Sequence, residues 1–144
     1  MPENASPEHV YVENEWYDGP RAGVADVFGQ PHRFKSLFDE EDDQYLGTFL
    51  IWPIGQEELK LEVEQWRIFA KWDALRDAGK AGTETHPGHG GISPRWDEIE
   101  SRLRASRITV PEGAARATAV IEHIDGQCRY EPTGPAYKLR WKLV

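Results

Sequence analysis

"QEELKLEVEQWRIFAKWDALRDAGK", residues 56–80, decides between an all-β chain and a mixed one, because it carries two periodicities at once. Leu59, Leu61 and Val63 alternate, and so do Trp66, Ile68, Ala70 and Trp72, which is the pattern of a half-buried strand. On a helical wheel the same residues resolve into two faces, with Leu59, Val63, Trp66 and Ala70 on one and Leu61, Ile68, Trp72 and Leu75 on the other. Composition breaks the tie. Glu, Leu, Lys, Gln, Ala and Arg dominate, and only Val63 and Ile68 are β-branched, so a helix is expected over about 56–78, ended by Gly79. A helix with two apolar faces should be buried on both, between a sheet and another layer, unless one face is left for a partner.

The segments on either side read as strands. "VYVENEWY" alternates, "AGVADVFG" is small or β-branched, and "PHRFKSLFD" sets His32, Phe34, Ser36 and Phe38 on one side, with turn signals "DGP" and "GQP" between them. After the acidic connection "DEEDD", "QYLGTFLIWPI" reads as a fourth strand stopped by Pro53 and Gly55. A flexible connector, "AGKAGTETHPGHGG", leads to "SPRWDEIESRLRAS", a short helix with Ser93 as N-cap, Pro94 at the first helical position, and Trp96, Ile99 and Leu103 on one stripe. Strands then return in "ARATAVIEHID", "QCRYE" and "AYKLRWKLV". In the last, Tyr137, Leu139, Trp141 and Leu143 should face inward and Lys138, Arg140 and Lys142 outward. Strands, helices, then strands again imply an α+β chain with a mainly antiparallel sheet or partial barrel: a loose arm at 1–7 and one domain at 8–144.

A chain of 144 residues can bury roughly 70% of its unfolded surface without staples. Six Trp, five Tyr and five Phe make the expected core aromatic-heavy. The net charge of -8, from 25 acids against 17 bases, argues against nucleic acid and an anionic membrane as partners and is compatible with a basic protein. No apolar run approaches the about 18 residues of a membrane span, and the N-terminus lacks a signal-peptide pattern, so a soluble, cytoplasmic protein is expected. Cys128 stands alone, which excludes an internal disulfide and a cysteine zinc cage and fits a surface or packed thiol.

Few residues suggest bond-making chemistry. No HExxH, GxSxG or glycine-rich phosphate loop is present, and no cofactor is expected. His86 and His89 in "THPGHGG" could ligate a metal with His32 or an acid, but Pro87 and the glycines set them on a loop and not on a rigid helical face. Asp39, Glu40, Glu41, Asp42 and Asp43 lack the calcium-loop pattern and read as a solvated turn, or as a surface for a basic partner. Lys138, Arg140 and Lys142 read as protection of a sheet face or edge. In "EWYDGPR", Asp18, Gly19 and Pro20 have turn roles, while Arg21 beside Trp16 and Tyr17 could clamp Asp18 or fork onto an anion.

Two functions follow as expectations. The first is a non-enzymatic binding protein, in the manner of an inhibitor, immunity or adaptor protein, that meets its partner through the acidic 39–43 loop and an apolar patch at Trp52, Trp66 or Trp72. A second copy on the free helix face would make it a homodimer. The alternative is a small-molecule site or enzyme at the sheet end, formed by Trp16, Tyr17, Asp18, Arg21 and His32 with the His86 and His89 loop as lid.

Overall fold

The computed structural model describes residues 6–144; of the expected arm, residues 1–5 lie outside them. Strands β1 (Glu8–Trp16), β2 (Pro20–Val27), β3 (Gln30–Asp39) and β4 (Gln44–Pro53) form an antiparallel meander. The left-handed backbone of Asp18, Phe28 and Asp43 lies in its three turns. Helices α1 (Gln56–Asp77) and α2 (Pro94–Ile108) follow, then β5 (Ala115–His123), the short pair β6 (Tyr130–Glu131) and β7 (Gly134–Pro135), and β8 (Tyr137–Leu143). β5 pairs with both β4 and β8, and β8 returns to β1 through Glu8 opposite Leu139 and His9 opposite Lys138. The expected sheet is therefore a closed barrel in the order β1-β2-β3-β4-β5-β8.

Six strands enclose room only for their own side chains. Val10, Ala25, Phe34, Phe49, Ile51, Leu139 and Trp141 fill it, with Phe34, Phe49 and Trp141 ring centres 5.7 Å apart. A ligand must therefore seek the outside or the ends. Two residues depart from the expected pattern. A register shift between Ser36 and Phe38 turns Phe38 out of the barrel, and Leu143 lies exposed at the end of β8. A further shift after Val10 sends Val10 inward but Val12 outward, where it meets Val24 and Trp66.

Gly23 sits where β1, β2 and β3 crowd together. A Cβ there would overlap the Val12 carbonyl oxygen and lie 2.8 Å from Phe34 Cζ. Gly23→Ala is expected to cost about 3 kcal/mol, the upper end for overpacking, because backbone cannot yield as a side chain can. Urea denaturation measures it. A loss below about 1 kcal/mol would mean that β1 moves away freely.

α1 starts and ends within a residue of the expected span. Gly79, at φ 73°, reverses the chain while its N–H bonds the Arg76 carbonyl and that of Lys80 bonds the Leu75 carbonyl. Leu59 and Trp66 pack on the barrel, whereas Leu61 and Ile68 meet Ile99 and Leu103 of α2. The N-terminal half of the second face is thus covered from within the chain, whereas Leu75 near its C-terminal end stays exposed. α2 opens as expected, with Ser93 Oγ accepting the Trp96 N–H at 3.2 Å and Pro94 in the first turn. No helix among the described residues is long and apolar enough to cross a membrane.

Candidate functional site

The turns after β1 and β3 lie at the same end of the barrel and bring together residues far apart in sequence. Arg21 donates from Nε to the Tyr17 carbonyl at 2.8 Å and from Nη2 to the Asp18 carbonyl at 3.0 Å. The expected Asp18 clamp therefore uses a backbone oxygen and not the carboxylate. So held, the guanidinium lies 3.9 Å over the Tyr45 ring, against which Phe38 packs edge-on at 4.8 Å. Tyr17, Asp18, Arg21, Phe38, Asp43 and Tyr45 line a recess of about 530 Å³, completed by Gln44. Tyr17 is 70% exposed and Phe38 43%. Asp39 Oδ1 accepts the N–H groups of Glu41 and Asp42 at 2.9 and 3.3 Å and shapes the acidic turn. Among the described residues, no ion pair neutralises Asp18 or any acid from Asp39 to Asp43.

A second concavity, of about 510 Å³, lies between the outer face of β1 to β3 and the two helices. Its floor is ionic. Arg33 on β3 is buried, with Nη2 2.6 Å from Glu58 and 2.7 Å from Glu62. Glu62, 1% exposed, also takes Arg107 of α2 at 2.6 and 3.0 Å, while Arg107 reaches Glu100 at 3.0 Å and Gln65 at 2.5 Å. Burial alone would raise the Glu62 carboxyl, but Arg107 and then Arg33 outweigh it and hold the group below the usual carboxylate range. Trp66, Phe69 and Tyr130 form one wall, with centroids 4.9 to 5.8 Å apart, and Trp96 and His86 line the cleft as well. Burial, and then neighbouring His89, push the His86 imidazole below its ordinary value. Its Nδ1 accepts the Gly88 N–H at 2.8 Å, so the neutral ring carries its proton on Nε2.

Compared with protein families, curated proteins and solved structures, the chain matches none.

The sequence-derived sites are redistributed between the two concavities. Tyr17, Asp18, Arg21 and Asp43 meet at the barrel end. His32 does not join them: it sits opposite Ala25, four residues beyond Arg21 along β2 or roughly 13 Å by strand rise, with Nδ1 against the Gln30 carbonyl. Trp16 packs instead beneath Arg129, 4.7 Å away, and beside Tyr137. There Glu13 accepts both Tyr137 Oη at 2.8 Å and Arg129 Nη2 at 2.9 Å, and burial followed by the Glu13 charge raises the Tyr137 phenol.

Trp52 and Trp66, expected in an exposed patch, are buried. Trp66 is 6% exposed and donates its indole N–H to the Glu131 carbonyl at 2.6 Å, and Trp72 is half-buried with its own N–H on Thr85. The loop of His86 and His89 reaches the helix-side cleft and not the barrel end for which it was expected to be a lid. Its two rings stack at 5.2 Å, and among the described residues no three His, Cys, Asp or Glu side chains are grouped to hold a metal ion. The Arg33, Glu62 and Arg107 network escaped the sequence reading. Its one local signal is Glu58, Glu62 and Gln65 at helical spacing between the two apolar faces.

Proposed function

We propose that this chain is a protein-binding module whose barrel end, at the turns after β1 and β3, holds a cationic segment of a partner protein. The observation that carries the reading is Arg21 lying over Tyr45 beside unpaired carboxylates: the chain's own guanidinium occupies the kind of place a partner's arginine or lysine would take. Tyr17 and Phe38 supply exposed aromatic area, worth about 0.5–1 kcal/mol for each cation set over a ring at an exposed site. The acids from Asp39 to Asp43 add an attraction that speeds encounter and weakens with salt. The sealed barrel interior favours recognition on this outer end over ligand capture inside.

A photo-crosslinking residue placed at Gln44 in cells tests the reading. The expected result is a discrete adduct whose joined peptide is rich in Lys or Arg, lost when Glu40→Gln, Glu41→Gln and Asp42→Asn are combined. These three acids are exposed, so their neutralisation leaves the fold intact. No adduct, an adduct indifferent to the charge change, or the same adduct from a crosslinker at Val120 on β5 would remove the proposal.

A further inference from the structure

The helix-side cleft is independent of the barrel-end surface, and its charge balance points to a ligand of definite sign. Two guanidiniums of the floor, Arg33 and Arg107, face Glu62, Glu100 and, as a further partner of Arg33, Glu58, while the lining adds Lys35 and Glu15, so that the carboxylates exceed these cations by one. Both guanidiniums are committed: Arg33 donates to Glu58 and Asn14, and Arg107 to Glu62, Glu100 and Gln65. An entering anion would find no free guanidinium, only the exposed ammonium of Lys35, and one surplus negative charge. An entering cation would find that charge together with aromatic faces. Glu13 at the same cleft is already matched by Arg129, and His86, held below its ordinary value, is neutral at pH 7.

We propose that this cleft is a binding site for a small organic cation of the alkylammonium or quaternary ammonium class. Trp66, Phe69, Trp96 and Tyr130 form the aromatic surround, and Glu100 supplies the excess charge. Ring faces attract such cations because their quadrupole is negative there, and more strongly where water is excluded. The cleft's volume, about 510 Å³, lies in the range of small-molecule sites. The chain itself provides a precedent at this wall, since the Arg129 guanidinium stacks 4.6 Å from the Tyr130 ring.

Choline and its neutral isostere 3,3-dimethylbutan-1-ol are the probes, titrated into the full-length protein while the tryptophan indole N–H signals are followed by nuclear magnetic resonance. Choline is expected to shift the Trp66 and Trp96 signals saturably, and the isostere to bind at least tenfold more weakly. Glu100→Gln keeps an acceptor for Arg107 but removes the surplus charge, and should weaken choline binding several-fold with the indole spectrum otherwise unchanged. Trp96→Leu should weaken it further. Equal binding of the isostere, tighter binding of 3,3-dimethylbutanoate, insensitivity to Glu100→Gln, or no saturable shift by 50 mM choline would each overturn the proposal. Crosslinking at Gln44 reads the other surface, so either proposal can fail alone.

Discussion

Glu62→Ala is expected to destabilise the fold by about 3 kcal/mol, because it removes the buried carboxylate that two guanidiniums share and leaves each with a single, more exposed carboxylate partner. Arg33 is buried and would keep Glu58; Arg107 would keep Glu100; both would lose the carboxylate they share. Replacing Arg33, Glu62 and Arg107 together by Met, Leu and Met should cost far less, since an apolar set of similar volume leaves no buried charge unmatched. The network also predicts a pH dependence. The Glu62 carboxyl titrates below its unfolded value of 4.5, so its stabilisation is complete above about that pH and erodes as the pH falls toward the folded value. Urea midpoints measured from pH 3 to 7 should fall on the acid side for the wild type and less steeply for Glu62→Gln. A Glu62→Ala loss under 1 kcal/mol would mean that water reaches the network and screens it.

Trp141→Ala should cost a similar amount, about 3–5 kcal/mol, by opening a void between Phe34 and Phe49 in the closed interior. Trp141→Phe is the informative companion. Among the described residues the buried indole N–H has no partner, nor has the hydroxyl of buried Ser36. Removing an unsatisfied polar atom returns part of its desolvation cost, so Trp141→Phe should lose much less than the alanine variant, and Ser36→Ala should be neutral or stabilising. If phenylalanine proves as damaging as alanine in denaturant titrations, the N–H makes a bond that matters.

Local chemistry was legible where a residue's neighbours in sequence decide its role. The extent of α1, the Ser93 cap, the turns and the alternation of β8 as far as Trp141 all follow from propensity and spacing. The Tyr17, Asp18 and Arg21 group was legible for the same reason, since one turn makes it. His32 was misplaced because strand length separates the two ends of a hairpin, which composition does not reveal. Trp66 entered the candidate patch because one of the helix's two apolar faces could have been left for a partner; the apolar area of an indole and its bond to the Glu131 carbonyl place it inside. Arg33 is the instructive miss. Alternation correctly turns it away from Phe34, but an outward residue is solvated only if nothing covers that face, and α1 does. Phe38 depended on a one-residue register shift that no local pattern signals.

The chain leaves the barrel after Pro53 and re-enters at Ala115, and these two points are adjacent: Ile51 lies opposite Ala115 on the paired strands β4 and β5. Residues 54–114 are thus a detour with its entrance and exit side by side, and the ring of strand pairings is continuous without them. Both helices can be regarded as an exchangeable cassette. This cassette is tied to its host by the shelter it gives Val12, Val24 and Arg33 and by the hold of Trp66 on the Glu131 carbonyl, so any replacement must cover those three side chains or come with polar ones in their place, and must leave that carbonyl a donor.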